Sequence, residues 1–122
     1  MANDFKRFAK PSVGTSTGAS ADAVYTVPAG AGSTALESIV IGITLANKTS
    51  TGVTASVFLD NEDGSNDVFI VKDATVPAGS SLEIMSGNKL VVQNDRSNAD
   101  VIRISCGTAS ALDAIVTVLE DV

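Results

Sequence analysis

Apolar and polar residues alternate at a period of two over most of the chain beyond residue 22. In residues 36–47, Ile39, Ile41, Ile43 and Leu45 fall on one face, and residues 53–59 repeat the alternation. Period two is the side-chain repeat of a β-strand, and β-branched residues dominate these runs. The pattern predicts strands at residues 23–28, 36–47, 53–59, 67–72, 81–85, 89–93, 100–106 and 112–120.

The pentapeptide Thr-Val-Pro-Ala-Gly occurs twice, at residues 26–30 and 75–79. Proline lacks a backbone donor and is excluded from central strands, while glycine admits a positive φ, so each copy predicts a strand that reaches a turn. No segment keeps the helical period over three turns. The fold class predicted is all-β: an antiparallel β-sandwich or jelly roll of about eight strands with an extended N-terminal arm.

The first residues differ in charge from the rest of the chain. Residues 1–11 carry a net charge of +2 and the remaining residues −8, which gives the total of −6. Residues 12–21 (SVGTSTGASA) are small and polar, which is typical of a flexible or extended tether. We therefore divide the chain into an N-terminal arm and tether, residues 1–21, and a β-sandwich domain, residues 22–122.

Two hypotheses for the arm stay open: a frayed terminus, or a segment that docks on a neighbouring subunit. Docking would cover Phe5 and Phe8, whose spacing of three places both on one face of a short helical turn. In the last strand, Ile115 and Leu119 lie opposite the face formed by the even-numbered residues 112–118. They are either isolated surface hydrophobes or part of a covered face. The predicted partner-binding residues are Phe5, Lys6, Arg7, Phe8, Lys10, Ile115 and Leu119.

The sequence offers little for catalysis or for a cofactor. It contains no histidine, which removes the commonest general base and the commonest metal ligand. Its single cysteine, Cys106, follows Ile102 and Ile104 on one face and is predicted to lie in the core. We predict that the protein is not an enzyme and has no catalytic residue and no cofactor.

The acidic segment of residues 60–67 (DNEDGSND) has enough carboxylates to suggest calcium, but its glycine is out of register for a calcium-binding loop. We predict a solvated hairpin loop there and no metal site. The acidic body argues against nucleic-acid binding. The longest mostly apolar run, residues 39–46, has eight residues, so no membrane span is predicted. The first residues lack the apolar region of a secretory signal, and we expect folding in the cytoplasm.

Several segments together carry a family resemblance. They are the Tyr-Thr-Val-Pro-Ala-Gly of residues 25–30, the Ile-rich residues 39–47, Phe-Ile-Val-Lys-Asp at 69–73 leading into Val-Pro-Ala-Gly-Ser-Ser-Leu-Glu at 76–83, Gly-Asn-Lys-Leu-Val-Val at 87–92, and Val-Thr-Val-Leu-Glu at 116–120. With these motifs the chain resembles small virion structural proteins of tailed bacteriophages, particularly phages of marine cyanobacteria. The resemblance implies a non-enzymatic, β-rich protein present in many copies in the particle, on either head or tail. The resemblance assigns no functional residue to any position of this chain.

The function predicted from the sequence is therefore a virion structural protein, and specifically a capsid decoration or cement subunit. The partners expected are the major capsid protein or tail proteins of the virion and further copies of the chain. One alternative is a tail, baseplate or fibre-attachment component. Another is a host-surface carbohydrate-binding module, for which the body offers the aromatic side chains of Tyr25, Phe58 and Phe69.

Overall fold

The computed structural model describes residues 3–17, 20–28, 36–60, 67–85, 89–95 and 98–121. These residues form nine strands: β1 (Asn3–Lys10), β2 (Asp22–Thr26), β3 (Leu36–Asn47), β4 (Val53–Asp60), β5 (Asp67–Val76), β6 (Ser81–Glu83), β7 (Leu90–Asn94), β8 (Val101–Cys106) and β9 (Leu112–Asp121). Within the described ranges, no helix is long and apolar enough to cross a membrane.

The strands form two antiparallel sheets that enclose one core, which confirms the all-β sandwich. In the first sheet the order is β1-β9-β3-β6, and β7 pairs with the other half of β3. In the second sheet the order is β2-β8-β4-β5. The fully buried side chains that fill the space between the sheets include Ile43, Leu45, Val57, Ile102, Ile104, Leu112, Val116 and Val118.

The N-terminal segment is a strand and not a helical turn. β1 pairs with β9 from Asn3 opposite Asp121 to Lys10 opposite Ala114, without a register shift. Successive side chains of a strand point to opposite faces, so Phe5 and Phe8 lie on different sides of the sheet. The prediction that they share one face was wrong, because period two replaces the helical period.

The central strand β3 contains a β-bulge between Val40 and Gly42. A bulge adds one residue to a strand and reverses the facing of the side chains beyond it. Ile43 and Leu45 consequently point into the core, whereas Ile39 and Ile41 lie on the outer face and are half-buried. The prediction that these four residues share a face was wrong for this reason.

The second Val-Pro-Ala-Gly segment makes the predicted turn, with Gly79 at φ +63°. Buried Asn47 holds this turn, because its side-chain amide donates to the carbonyl oxygens of Val76 and Pro77 at 3.0 and 3.3 Å. The first copy of the pentapeptide ends at residues 29–30, which lie outside the described residues.

The described part of the predicted tether packs on the sandwich. Val13 is fully buried and its amide donates to the carbonyl of Leu112 at 2.8 Å, while the Gly14 carbonyl accepts from the Cys106 amide at 3.1 Å. Cys106 is buried, as predicted. The neighbouring Ser105, on the opposite face of β8, is also buried. Thr15 and Thr17 line the same small cavity as Ser105, so the tether covers this end of β8.

Candidate interaction surface

The outer face of the first sheet carries four apolar side chains in one row across four strands. Phe5 of β1 lies opposite Leu119 of β9, Leu119 opposite Ile39 of β3, and Ile39 opposite Val91 of β7. We call these four residues the apolar row. Phe5 is 76% exposed and Val91 60% exposed, while Leu119 and Ile39 between them are half-buried. Directly opposed side chains in adjacent strands lie close enough to touch, so the row presents a continuous apolar strip to solvent.

A further exposed hydrophobe, Ile115, lies on the same face. Ile115 is 41% exposed and sits opposite Ala9 on one side and Thr44 on the other. Between it and the apolar row lie exposed Arg7 and half-buried Thr117, which face each other. Ile115 and Leu119 therefore occupy the outer face that alternation predicted for them.

On its inner side, β1 is attached to the sandwich through an aromatic contact. The rings of Phe8 and Tyr25 have centroids 4.8 Å apart at an interplanar angle of 42°. Phe8 is half-buried, whereas Tyr25 of β2 is almost completely buried. Of the two aromatic residues in the arm, Phe8 belongs to the core edge and Phe5 to the surface.

A buried polar network lies next to this contact. Tyr25 Oη donates to Glu120 Oε2 at 2.7 Å and shares a 2.8 Å hydrogen bond with Ser38 Oγ. Lys6 Nζ lies 2.9 Å from Glu120 Oε1, and no other described group satisfies that oxygen. Glu120 is only 1% exposed, so Lys6 supplies the counter-charge for a carboxylate enclosed between the sheets.

The network shifts the titration of its two proton donors. Hydrogen bonding to Glu120, followed by Coulombic attraction to the same carboxylate, raises the pKa of Lys6. Burial is the main cause that raises the pKa of Tyr25. Both groups therefore hold their protons to a higher pH in the folded protein, and the ion pair connects the middle of β1 to Glu120.

The end of β1 is held by a separate group of contacts. Asp113 Oδ1 accepts from the Ser12 amide and from Lys48 Nζ, both at 2.9 Å. The Ser12 amide first, and Lys48 second, lower the pKa of Asp113. Lys10 is half-buried opposite Ala114. Of the predicted arm residues, Lys6 and Phe8 therefore point inward and contact the chain itself, while Phe5 and Arg7 face solvent.

The second sheet has a smaller apolar patch at its edge strand β5. Phe69 is 47% exposed and stacks on Phe58 with ring centroids 4.9 Å apart, and Lys72 Nζ lies 5.4 Å from the Phe69 centroid. Val68, the preceding residue, points to the opposite face of β5 and is 49% exposed. Of the three aromatic residues considered for carbohydrate binding, Tyr25 and Phe58 are buried and only Phe69 is accessible.

A hydroxyl-rich cavity of about 160 Å³ lies at one end of β8, where Thr15, Thr54, Ser56 and Asp73 are among the lining residues. The Ser56 hydroxyl accepts the Asp73 amide at 3.0 Å, which supports the positive φ of +52° at Asp73. Cys106 at the cavity wall donates its thiol to the Thr108 carbonyl.

The described residues contain no group of three metal-ligating side chains. The predicted hairpin loop lies mostly outside the described residues, since residues 61–66 are not among them. Asp60 at its start accepts from Arg103 Nε at 2.9 Å.

Sequence reasoning identified part of the outer face and missed the rest. It found Phe5, Ile115 and Leu119 but not Ile39 or Val91. The run Leu90-Val91-Val92 is apolar on both faces of a predicted strand, which was an available signal for Val91. Glu120 gave no comparable signal, because its partners Tyr25 and Lys6 lie far away in the sequence.

No protein-family model and no curated protein matches the chain.

Proposed function

We propose that this chain is a non-enzymatic structural subunit of a bacteriophage particle, a capsid decoration or cement subunit that attaches through the outer face of the first sheet. The apolar row carries this proposal. A row of four apolar side chains across four strands, with Phe5 and Val91 largely exposed, is a surface that gains free energy when another protein covers it.

The polar groups around the apolar row fit attachment to a protein. Arg7 of β1 lies next to the row, opposite Thr117 of β9. An apolar centre with a charged rim is the usual arrangement of a protein interface. The resemblance to small phage virion proteins supports the class of particle that we propose, and a net charge of −6 favours a soluble free subunit.

The test compares two exposed valines that differ in the sheet to which they belong. Val91→Lys places a charge in the apolar row, whereas Val68→Lys places the same charge on the second sheet. Both side chains are about half or more exposed, so neither change should alter the melting temperature by much. Each purified variant is added to phage particles that lack the subunit, and its occupancy is measured by gel densitometry.

We expect Val91→Lys to lower the occupancy at least tenfold and Val68→Lys to leave it near that of the parent. Equal occupancy for all three proteins would overturn the proposal that the outer face attaches the subunit. Gold labelling of the bound parent then distinguishes head from tail: a tail label would replace the decoration role with that of a tail component. Failure of the parent to bind any virion would overturn the phage assignment.

A further inference from the structure

Strand β1 is an unusually regular edge. Its eight residues pair with β9 at consecutive positions, and among the described strands it lies at the end of the first sheet. The other edges are interrupted or shorter: β5 has two register shifts against β4, β2 has one against β8, and β6 and β7 have only three and five residues. A regular edge strand offers a row of backbone N–H and C=O groups to another strand.

We infer that two copies of this chain associate through antiparallel pairing of residues 3–7 of their β1 strands about a twofold axis at Phe5. Phe5 then faces Phe5 of the second copy, and the two first sheets become one continuous sheet. The inference deepens the proposed function and rests on it only in treating β1 as an assembly surface.

Charge complementarity selects this register. In a continuous sheet, outward side chains must oppose outward ones, so a twofold axis passes through a residue of β1. An axis at Phe5 places Asp4 of each copy opposite Lys6 of the other. This gives two pairs of opposite charge on the inner side of the strand.

The neighbouring registers oppose like charges. An axis at Asp4, Lys6 or Arg7 brings that residue against its own copy. An axis at Phe8 brings Lys6 against Lys10 of the second copy. Like charges directly opposite each other destabilise a pair of strands, whereas opposite charges stabilise it.

The Phe5 register also joins the two apolar rows. Phe5 is the outermost member of its row and the most exposed large hydrophobe among the described residues, at 76%. Opposing it to its own copy covers both rings and makes one strip that runs from Val91 of one copy to Val91 of the other. Aromatic pairs across strands add stabilisation beyond the area they bury.

Lys6 can serve both of its carboxylate neighbours. Its side chain is 45% exposed although Nζ contacts Glu120 Oε1 at 2.9 Å. An ammonium group has three donors, so Asp4 of the second copy can share it with Glu120. Asp4 is exposed in the single chain and free to approach.

Cysteine cross-linking tests the register. In a Cys106→Ala background, Phe5→Cys places two thiols across the axis, where opposed Cα atoms lie about 4.5–5.5 Å apart, within disulfide range. Arg7→Cys is the matched control, because its two thiols would be offset by four residues, roughly 13 Å along the strands. We expect mild oxidation to convert the Phe5→Cys protein to a covalent dimer on a non-reducing gel and to leave the Arg7→Cys protein without a cross-link. Preferential cross-linking of Arg7→Cys would overturn the register.

Charge reversal tests the association without changing the axis. Asp4→Lys replaces two attractive pairs by two repulsive ones, and Glu37→Lys makes the same charge change at an exposed position on β3. By sedimentation equilibrium, we expect Asp4→Lys to weaken dimerisation about tenfold or more, with Glu37→Lys close to the parent. Circular dichroism melts verify that both variants are folded.

A parent protein that stays monomeric at its solubility limit would overturn the inference, as would equal dimerisation of the parent and Asp4→Lys. These results are separate from those for the proposed function. If the protein is monomeric but still binds phage particles, only the β1 pairing is wrong. If it dimerises but binds no particle, only the assignment to a phage particle is wrong.

Discussion

The Tyr25 hydroxyl of β2 donates a 2.7 Å hydrogen bond to Glu120 Oε2 of β9, and this bond connects the two sheets through the core. A buried carboxylate is costly unless every lone pair has a partner. Tyr25 satisfies one oxygen of Glu120 and Lys6 of β1 contacts the other. The attachment of β1 is therefore coupled to the contact between the sheets.

Tyr25→Phe should destabilise the protein by about 1–3 kcal/mol, because it leaves a buried acceptor without its donor. Phenylalanine keeps the ring beside Phe8, so the change isolates the hydroxyl. Urea denaturation measures the difference. Thr26→Ala removes an exposed hydroxyl from the same strand and should be close to neutral. An equal effect of the two changes would mean that the hydrogen bond to Glu120 contributes no net stability.

Stability should fall at alkaline pH. The pKa values of Lys6 and Tyr25 are raised above their ordinary values of 10.5 and 10.0, so the folded protein holds both protons more tightly than the unfolded chain. This contribution is complete below about pH 10 and is lost as the pH rises through the folded values. We expect the free energy of unfolding to decline above about pH 10 in the parent. The decline should be shallower in a Lys6→Met, Tyr25→Phe variant, and an unchanged slope would contradict the assignment.

The sandwich was predictable because β-strand alternation is a local property. Ile102, Ile104 and Cys106 of β8, and the even-numbered residues of β9, are buried as the period of two requires. The turn at Pro77 and Gly79 was equally predictable from residue type.

Features that depend on distant residues were not predictable. The bulge in β3 is stabilised by Glu83, whose carboxylate accepts the Ile43 amide at 3.1 Å and the Thr44 hydroxyl at 2.8 Å. The sequence of β3 alone contains no sign of this partner. β1 and β9 come from the two ends of the described chain. The positive charge and short length of the N-terminal segment resembled those of a terminal arm. The apolar row exists only because the fold places four strands side by side.

Because of the bulge, Ile41 and Ile43 of β3 differ in burial. Ile43→Ala should cost about 2–5 kcal/mol, because it removes buried methyl groups and leaves a cavity. Ile41→Ala removes the same atoms from the half-buried outer face and should cost much less. Strict alternation would place both side chains in the core and would make the two costs similar. Denaturant titration of the two variants, with Ile104→Ala as a second fully buried reference, distinguishes these cases.

Asp113 should make the segment around Ser12, which follows β1, sensitive to acid. Its carboxylate accepts the amide of Ser12, which has a positive φ of +54°, and pairs with Lys48. These contacts lower the pKa of Asp113 below 3.8, so their stabilisation is present above that pH and is lost as the pH falls through the folded value.

Asp113→Asn should therefore cost less than about 1 kcal/mol at neutral pH, because the pair is partly exposed and screened by solvent. Its free energy of unfolding should converge with that of the parent as the pH falls below the lowered value. Glu37→Gln neutralises an exposed carboxylate elsewhere and serves as the control for net charge. Amide hydrogen exchange of β1 should also accelerate in Asp113→Asn at neutral pH, since Ser12 is the residue through which the strand enters the core at Val13. Unchanged exchange in β1 would show that Phe8 and Lys6 hold the strand without help from the segment around Ser12.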